Sequence, residues 1–267
     1  MPTIVSQGDA FLSAMPNILL LGGTTEASTL ARLLAAHGTA AVLSYAGRTE
    51  SPRPQPIPVR VGGFGGVSGL AAYLREHRVT HLVDATHPFA ATMSENAVAA
   101  ARIAGVHLAA LTRPAWEPGP GDDWTAAADI AGAVALLPET PRRIMLALGR
   151  MHVEVFAARP QHHYLLRFVD APAQPPALLR HTLVVDRGPF SLDDDTRLLH
   201  DHAIDLLVCK NAGGTGAQAK LAAARRLGLP VLMIQRPRLP ARTEFQRPED
   251  VLDWIAHAAS SGTERGV

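Results

Sequence analysis

Short apolar runs and amphipathic stretches alternate along almost the whole chain. Asn17-Ile18-Leu19-Leu20-Leu21 and the run through Val42 and Leu43 are continuously apolar, the pattern of strands buried on both faces. Between them Leu30, Leu33 and Leu34 recur at helical spacing. The first half therefore predicts strands near 17–21, 40–45, 57–61, 79–84 and 106–111, with helices near 26–37, 67–77 and 90–104. Arg113-Pro114-Ala115-Trp116-Glu117-Pro118-Gly119-Pro120-Gly121 then breaks both periods, because its prolines and glycines continue neither element. A second series follows, with strands near 143–148, 163–169, 182–186, 205–209 and 231–235 and helices near 126–137, 151–158, 192–202, 216–227 and 248–259. The expected organisation is a disordered leader (1–15), an N-terminal domain (16–112), a linker (113–124) and a C-terminal domain (125–260). Alternation of this kind belongs to the α/β class, with helices covering mainly parallel sheets and ligands beyond the carboxyl ends of the strands.

Composition narrows the function classes. The 267 residues are 47% hydrophobic, enough for a full core, and the formal net charge is +1. A charge that low argues against a dedicated nucleic-acid binder. One cysteine excludes an internal disulfide and a cysteine-rich zinc site, and no apolar run reaches membrane-spanning length. The start lacks the basic residues of a secretory signal, so Met15 is a candidate true start. The expectation is a soluble protein of the cytoplasm.

The strand ends carry the candidate chemistry. Leu21-Gly22-Gly23-Thr24-Thr25-Glu26 joins a strand to a helix through a glycine pair, the order that presents a helix N-terminus to a pyrophosphate. The full spacing of the dinucleotide fingerprint is missing, since Ala27 and Ser28 stand where a third glycine would fall. About 20 residues on, where such folds read the adenosine ribose, the chain offers Ser44 and Arg48 in place of an acidic residue, which suits a 2′-phosphate and hence NADPH. Gly62-Gly63-Phe64-Gly65-Gly66 suggests backbone close to a ligand beneath an aromatic lid, and Asp84-Ala85-Thr86-His87-Pro88 ends another strand. Lys210-Asn211-Ala212-Gly213-Gly214-Thr215-Gly216 is not a P-loop, yet Lys210 and Lys220 are the only lysines of the chain. A compact ammonium suits a phosphate, carboxylate or carbonyl. No metal site is expected, since His162-His163 and His200-x-His202 lack spaced partners, and no serine sits in a nucleophile turn. Hydride transfer fits this absence, because the cofactor carries the reactive atom.

Taken in order, these loops resemble the precorrin-6A reductase family of corrin (vitamin B12) biosynthesis. The matching segments are Leu20–Ala27, Asp84–Ala90, Arg113–Trp116, Leu148–Arg150, Asp186–Phe190 and Lys210–Gly216. The resemblance implies an NADPH-dependent reductase that saturates one ring double bond of the tetrapyrrole precorrin-6A to give precorrin-6B. It also implies two Rossmann-like domains with the cofactor in an inter-domain cleft. Carried over residue by residue, Gly23, Thr24 and Thr25 hold the pyrophosphate, with Gly22 and Glu26 also in the cofactor site, while Thr86, His87, Lys210, Asn211, Gly214 and Thr215 frame the nicotinamide and the macrocycle. Ser44 and Arg48 are placed on the 2′-phosphate by position. The acetate and propionate arms call for cations, with Arg113, Arg150, Arg187 and Lys210 as candidates. His87 and Lys210 are the catalytic candidates: both stand in loops suited to a proton donor, with water or a substrate carboxylic acid as alternatives, and Lys210 is expected to act chiefly by charge stabilisation. Transient contact with neighbouring enzymes of the pathway is a further expectation, and no membrane or nucleic-acid partner is expected.

Three other readings stay open at this stage. A cobalt-bearing substrate would present the same arms. A short-chain dehydrogenase or epimerase is allowed by the glycine turn but lacks a Tyr-x-x-x-Lys pair. A non-catalytic NADPH sensor would keep the turn and need no polyanion pocket.

Overall fold

The computed structural model describes residues 15–47 and 54–260. The chain runs β1 (Asn17–Leu21), α1 (Thr25–Ala36), β2 (Ala40–Tyr45), β3 (Val59–Val61), α2 (Gly66–Glu76), β4 (His81–Asp84), α3 (Ala91–Ala104) and β5 (His107–Leu111). It continues through β6 (Trp124–Ala127), α4 (Ile130–Ala135), β7 (Arg143–Ala147), two 3-10 helices (Arg150–His152 and Glu154–Ala158), β8 (His163–Phe168), β9 (His181–Val185) and α5 (Leu192–Asp201). Last come β10 (Leu206–Lys210), α6 (Ala219–Leu227), β11 (Val231–Ile234), β12 (Thr243–Phe245) and α7 (Pro248–Ser260).

Two compact units result, and neither is continuous in sequence. Residues 15–86, 93–112 and 241–260 build the first, and His87–Thr92 with Arg113–Pro240 build the second. Each holds a six-stranded sheet, in the order β12-β5-β4-β1-β2-β3 in the first unit and β6-β11-β10-β7-β8-β9 in the second. Every strand pair is parallel. Strands β7 to β11 thus repeat the order of β1 to β5, and each sheet is completed by an edge strand from outside that run. Both sheets are Rossmann-like, with the order reversing between β1 and β4 and between β7 and β10.

Alternation along the central strands makes the layers. Ile18 and Leu20 face a core with Leu30, Leu34 and Leu43, while Leu19 and Leu21 face Leu70, Leu74 and Leu82 on the other side. In the second unit Ile144 and Leu146 join one core and Met145 the opposite one. Burying each such side chain contributes about 1.5–3 kcal/mol, which is why these continuous apolar runs are committed to the sheet interior.

Departures from the sequence expectation have local causes. The helix expected at 151–158 is two 3-10 turns, with Val153 buried at their junction and Phe156, three residues on, buried in the second. The helix expected at 126–137 shrinks to α4, since Trp124–Ala127 pairs with β11 and Asp129 caps the remainder through the Gly132 N–H at 2.7 Å. Thr243–Phe245, which the pattern leaves out, pairs with β5. With it α7 belongs to the first unit, not to the second as the boundary at 260 implied, because Val251 and Ile255 enter the core that holds Leu30 and Leu34.

Candidate functional site

In the first unit, the turn from β1 into α1 is shaped by what its glycines meet. A Cβ on Gly22 would lie 2.5 Å from Leu43 Cδ1, so this glycine packs against the sheet. Gly23 has φ +126°, and a Cβ there would meet nothing within 4 Å, so its surface is open. Thr24 caps α1 by accepting from the Ala27 N–H at 3.1 Å, and its hydroxyl donates to the Ala85 carbonyl at 2.8 Å. That pair of bonds ties the helix start to the end of β4 and engages the Thr24 hydroxyl in both directions. Thr25 is exposed and donates to Glu26 Oε2 at 3.1 Å. What the turn presents to an anion is therefore its backbone: the first-turn N–H groups of a helix have no intrahelical acceptor.

The ends of β2 and β3 hold a guanidinium that the sequence reading passed over. Ser44 is buried, and its hydroxyl accepts from Arg60 Nη1 at 2.8 Å. Arg60 also donates to the carbonyls of Gly62 at 2.9 Å and Gly63 at 3.1 Å. The expected aromatic lid, Phe64, instead lies against this guanidinium, 3.8 Å from ring centroid to Cζ, and edge-on to Tyr73. Arg48 lies outside the described residues. The signal for Arg60 was its pairing position, for it stands directly across from Ser44 in the register of β2 and β3.

Asp84 closes β4 as a saturated hub. Its carboxylate accepts from the Thr86 N–H at 3.1 Å, the Thr86 hydroxyl at 2.7 Å, the Ser94 hydroxyl at 2.6 Å and Arg242 Nη1 at 2.5 Å. Arg242 and Asp84 are both almost fully buried. Thr86, expected near the nicotinamide, thus has its hydroxyl proton directed back into the first unit.

The second unit takes over at His87. Phe89 packs against the core around Ile144 and Leu146, which draws this short segment away from the strand it follows. His87 Nδ1 accepts from the Phe89 N–H at 3.2 Å, so the neutral ring carries its hydrogen on Nε2. Burial, reinforced by the positive charges of Arg113, Lys210, Arg236 and Lys220, lowers the His87 pKa to about 4. At neutral pH it is an uncharged hydrogen-bonding group, which removes the basis for an imidazolium proton donor.

Around it, two loops are clasped together. The buried Asn211 side chain accepts from the Trp116 N–H at 2.8 Å and donates to the Trp116 carbonyl at 2.9 Å. Trp116 Nε1 donates to the Gly214 carbonyl at 2.8 Å, and Arg113 Nε to the Ala212 carbonyl at 2.9 Å. Arg236, just past β11 and not anticipated, donates to the carbonyls of Asn211, Ala212 and Arg113 at 3.0, 3.1 and 2.8 Å. Gly213 (φ +70°) is held so close that a Cβ would sit 2.1 Å from the Pro114 carbonyl oxygen. Asn211 is therefore a brace between loops, with its amide engaged on Trp116, while Thr215 stands exposed at the tip.

The cations divide accordingly. Lys210 Nζ lies 5.2 Å from the Phe89 ring centroid, and the buried Lys220 donates to the Ala217 carbonyl at 2.5 Å and lies 5.0 Å over Trp116. Burial lowers the Lys220 pKa. Arg150 is exposed in the first 3-10 turn, and Arg187 is exposed and paired with Asp170 at 2.9 Å. Of the expected residues, His87, Arg113 and Lys210 are thus brought together, with Arg236 added, and Arg187 stands on a separate strand-end loop. Among the described residues, no group of His, Cys, Asp and Glu is placed to hold a metal ion, and no helix is long and apolar enough to cross a membrane.

Comparison with known proteins shows the family. Residues 17–256 match the family described as precorrin-6x reductase CbiJ/CobK. The chain is 54% identical to the precorrin-6A reductase of Rhodobacter capsulatus, covering 95% of this chain and 100% of that protein. The Rhodococcus erythropolis precorrin-6A reductase is 51% identical, with 91% and 97% covered, and the cobalt-precorrin-6A reductase of Priestia megaterium is 28% identical, with 91% and 100% covered. A solved structure of CobK precorrin-6A reductase matches with a TM-score of 0.88 at 54% identity, covering 95% of this chain and all of that one at 100%. With two Rossmann-like sheets, an open glycine turn and a cationic loop cluster already in place, the chain belongs to the precorrin-6x reductase family.

Proposed function

We propose that this protein is an NADPH-dependent precorrin-6A reductase of cobalamin biosynthesis, which saturates one ring double bond of the tetrapyrrole to give precorrin-6B. The observation that carries the substrate is the 54% identity to a protein named for precorrin-6A and spanned completely, against 28% for one named for the cobalt form. A soluble, cytoplasmic enzyme fits the single buried cysteine.

The first unit fits a dinucleotide. Open space at Gly23 lets a pyrophosphate approach the main chain, and α1, capped by Thr24, directs its dipole and first-turn N–H groups there. Gly22, Gly23, Thr24, Thr25 and Glu26 form the cradle, with Thr24 as its fastening. When bound, the nicotinamide would supply a hydride to one carbon, and water would deliver the matching proton to its neighbour. In the second unit, Arg113 and Lys210, with Arg150 past the neighbouring β7 and Arg187 on the separate loop after β9, draw in the carboxylate arms of the substrate. Neutral His87 orients by donating from Nε2, and Lys210 stabilises charge that builds on the ring during reduction.

The test is the loss of reduced-nicotinamide absorbance when purified protein meets precorrin-6A, run with NADPH, with NADH and with cobalt-precorrin-6A as substrate. Turnover of the metal-free ring with NADPH well above NADH is expected. Preference for the cobalt form would transfer the assignment to that substrate. Tight NADPH binding with no oxidation on either ring would favour the sensor.

A further inference from the structure

Arg60 is a partly buried guanidinium whose recorded partners are all neutral. Nη1 donates to the Ser44 hydroxyl and the Gly62 carbonyl, and Nη2 to the Gly63 carbonyl. Phe64 at 3.8 Å and Tyr73 at 5.3 Å, measured from ring centroid to Cζ, hold its plane. Among the described residues no carboxylate pairs with it, although a charge withdrawn from water ordinarily acquires a counterion. Its place is the end of β2 and β3, across the sheet from β1 and its glycine turn. In a dinucleotide fold that strand end reads the adenosine ribose: a carboxylate there accepts from a 2′-hydroxyl, and an arginine receives a 2′-phosphate.

We infer that Arg60, with the Ser44 hydroxyl it holds, is the residue pair that selects the 2′-phosphate of NADPH. The geometry suits that task. Both Nη1 hydrogens and one on Nη2 fasten the side chain, which leaves Nε–H and the second Nη2 hydrogen for a phosphate oxygen. Ser44 Oγ accepts from Arg60, so its own hydrogen is not used in that bond. The glycines at 62 and 63 let the backbone come close enough for their carbonyls to fix the fork. Fastening before the ligand arrives lowers the ordering cost on binding. This inference rests on the dinucleotide reading of the first unit.

Calorimetry on the full chain separates the two. The ligands are adenosine 2′,5′-bisphosphate and adenosine 5′-monophosphate, each titrated into wild type, Arg60→Gln and Arg60→Lys. Wild type should prefer the bisphosphate, and Arg60→Gln should lose about 10- to 100-fold in affinity for it while holding the monophosphate within about 3-fold. Arg60→Lys, which keeps the charge without the fork, should fall between them. Should Arg60→Gln fail to fold, a folded Arg60→Lys that still discriminates as wild type does would overturn the inference. So would equal losses for both ligands, since Arg60 would then only shape the loop. A wild type that does not distinguish the ligands would overturn the NADPH reading itself.

Discussion

The two units share one strand order and differ at the first crossover. In the first, β1 passes through Gly22 and Gly23 into a capped helix of 12 residues, whose first-turn N–H groups lack intrahelical acceptors. In the second, β7 passes through Leu148 and Gly149 into 3-10 turns of 3 and 5 residues, too short to build a comparable dipole. Charge at the adjacent strand is reversed as well. Strand β4 ends in Asp84, which Arg242 neutralises inside the unit, whereas β10 ends in Lys210 beside Arg113, Arg236 and His87. Under the proposed function, one topology serves two kinds of anion: backbone dipoles would take a pyrophosphate in the first unit, and side-chain cations would take carboxylates in the second. Fold does not select the chemistry; the residues at the strand ends do.

The sharpest way to break this contrast is to remove the strand-end charge from each unit in turn. Asp84→Ala leaves the buried Arg242 with Glu244 alone and removes the acceptor shared by Thr86 and Ser94, so a loss of about 3–5 kcal/mol is expected, localised to the first unit by amide hydrogen exchange. Lys210→Ala should instead keep stability within about 1 kcal/mol and lower turnover at saturating substrate by about 10-fold. Near-normal melting of Asp84→Ala, or near-normal turnover of Lys210→Ala, would erase the assignment of one charge to structure and the other to chemistry.

A smaller change sharpens the comparison between glycines. Gly23 faces open space, while Gly213 faces the Pro114 carbonyl and the Arg236 guanidinium at 2.1 and 2.4 Å from a built Cβ. Gly213→Ala combines a positive φ with a collision against backbone, so a cost of about 2–4 kcal/mol in the second unit is expected by chemical denaturation. A loss below about 1 kcal/mol would show that the clasp between residues 113–116 and 211–214 is loose.

Much of the fold was legible because the central strands are apolar on both faces and the helices are not. Ile18 to Leu21 and Leu206 to Cys209 announce themselves for that reason. The edge strands did not: β12 is three residues long and β6 begins beside glycines and acids, so only their pairing with β5 and β11 defines them. At the candidate site, glycine turns and strand-end charges were readable, since both need particular residue types at particular offsets. What a side chain is engaged in was not. Asn211 and Thr24 read as ligand groups, yet the amide of Asn211 is closed on Trp116 and the Thr24 hydroxyl on Ala27 and Ala85. Arg236 gave no local signal, because its partners come from remote loops, and Arg60 stands out only through its register opposite Ser44.

The smallest expected effect concerns the opposite ends of the sheets, where each unit buries a neutral histidine. His81 opens β4, with Nδ1 on the Thr80 hydroxyl at 2.8 Å, its ring stacked on His107 and edge-on to Trp254. His162 precedes β8, with Nδ1 accepting from the Arg142 N–H at 3.1 Å. In both, Nε2 is buried without a hydrogen-bond partner among the described residues. Burial, then the charge of His107, lowers the His81 pKa from 6.5 to about 4; burial, then Arg159, lowers that of His162. As pH falls below 6.5 the unfolded chain takes up the proton first, so stability drifts down until the folded group protonates as well. His81→Phe keeps a ring against His107 and Trp254 and removes the proton site. It should flatten the decline in the first unit, by less than about 1 kcal/mol at about pH 6, and leave that of the second unit in place. Amide exchange at about pH 7 and pH 5 reads each unit separately; an unchanged pH slope in the first unit of His81→Phe would mean that its acid sensitivity lies with another group.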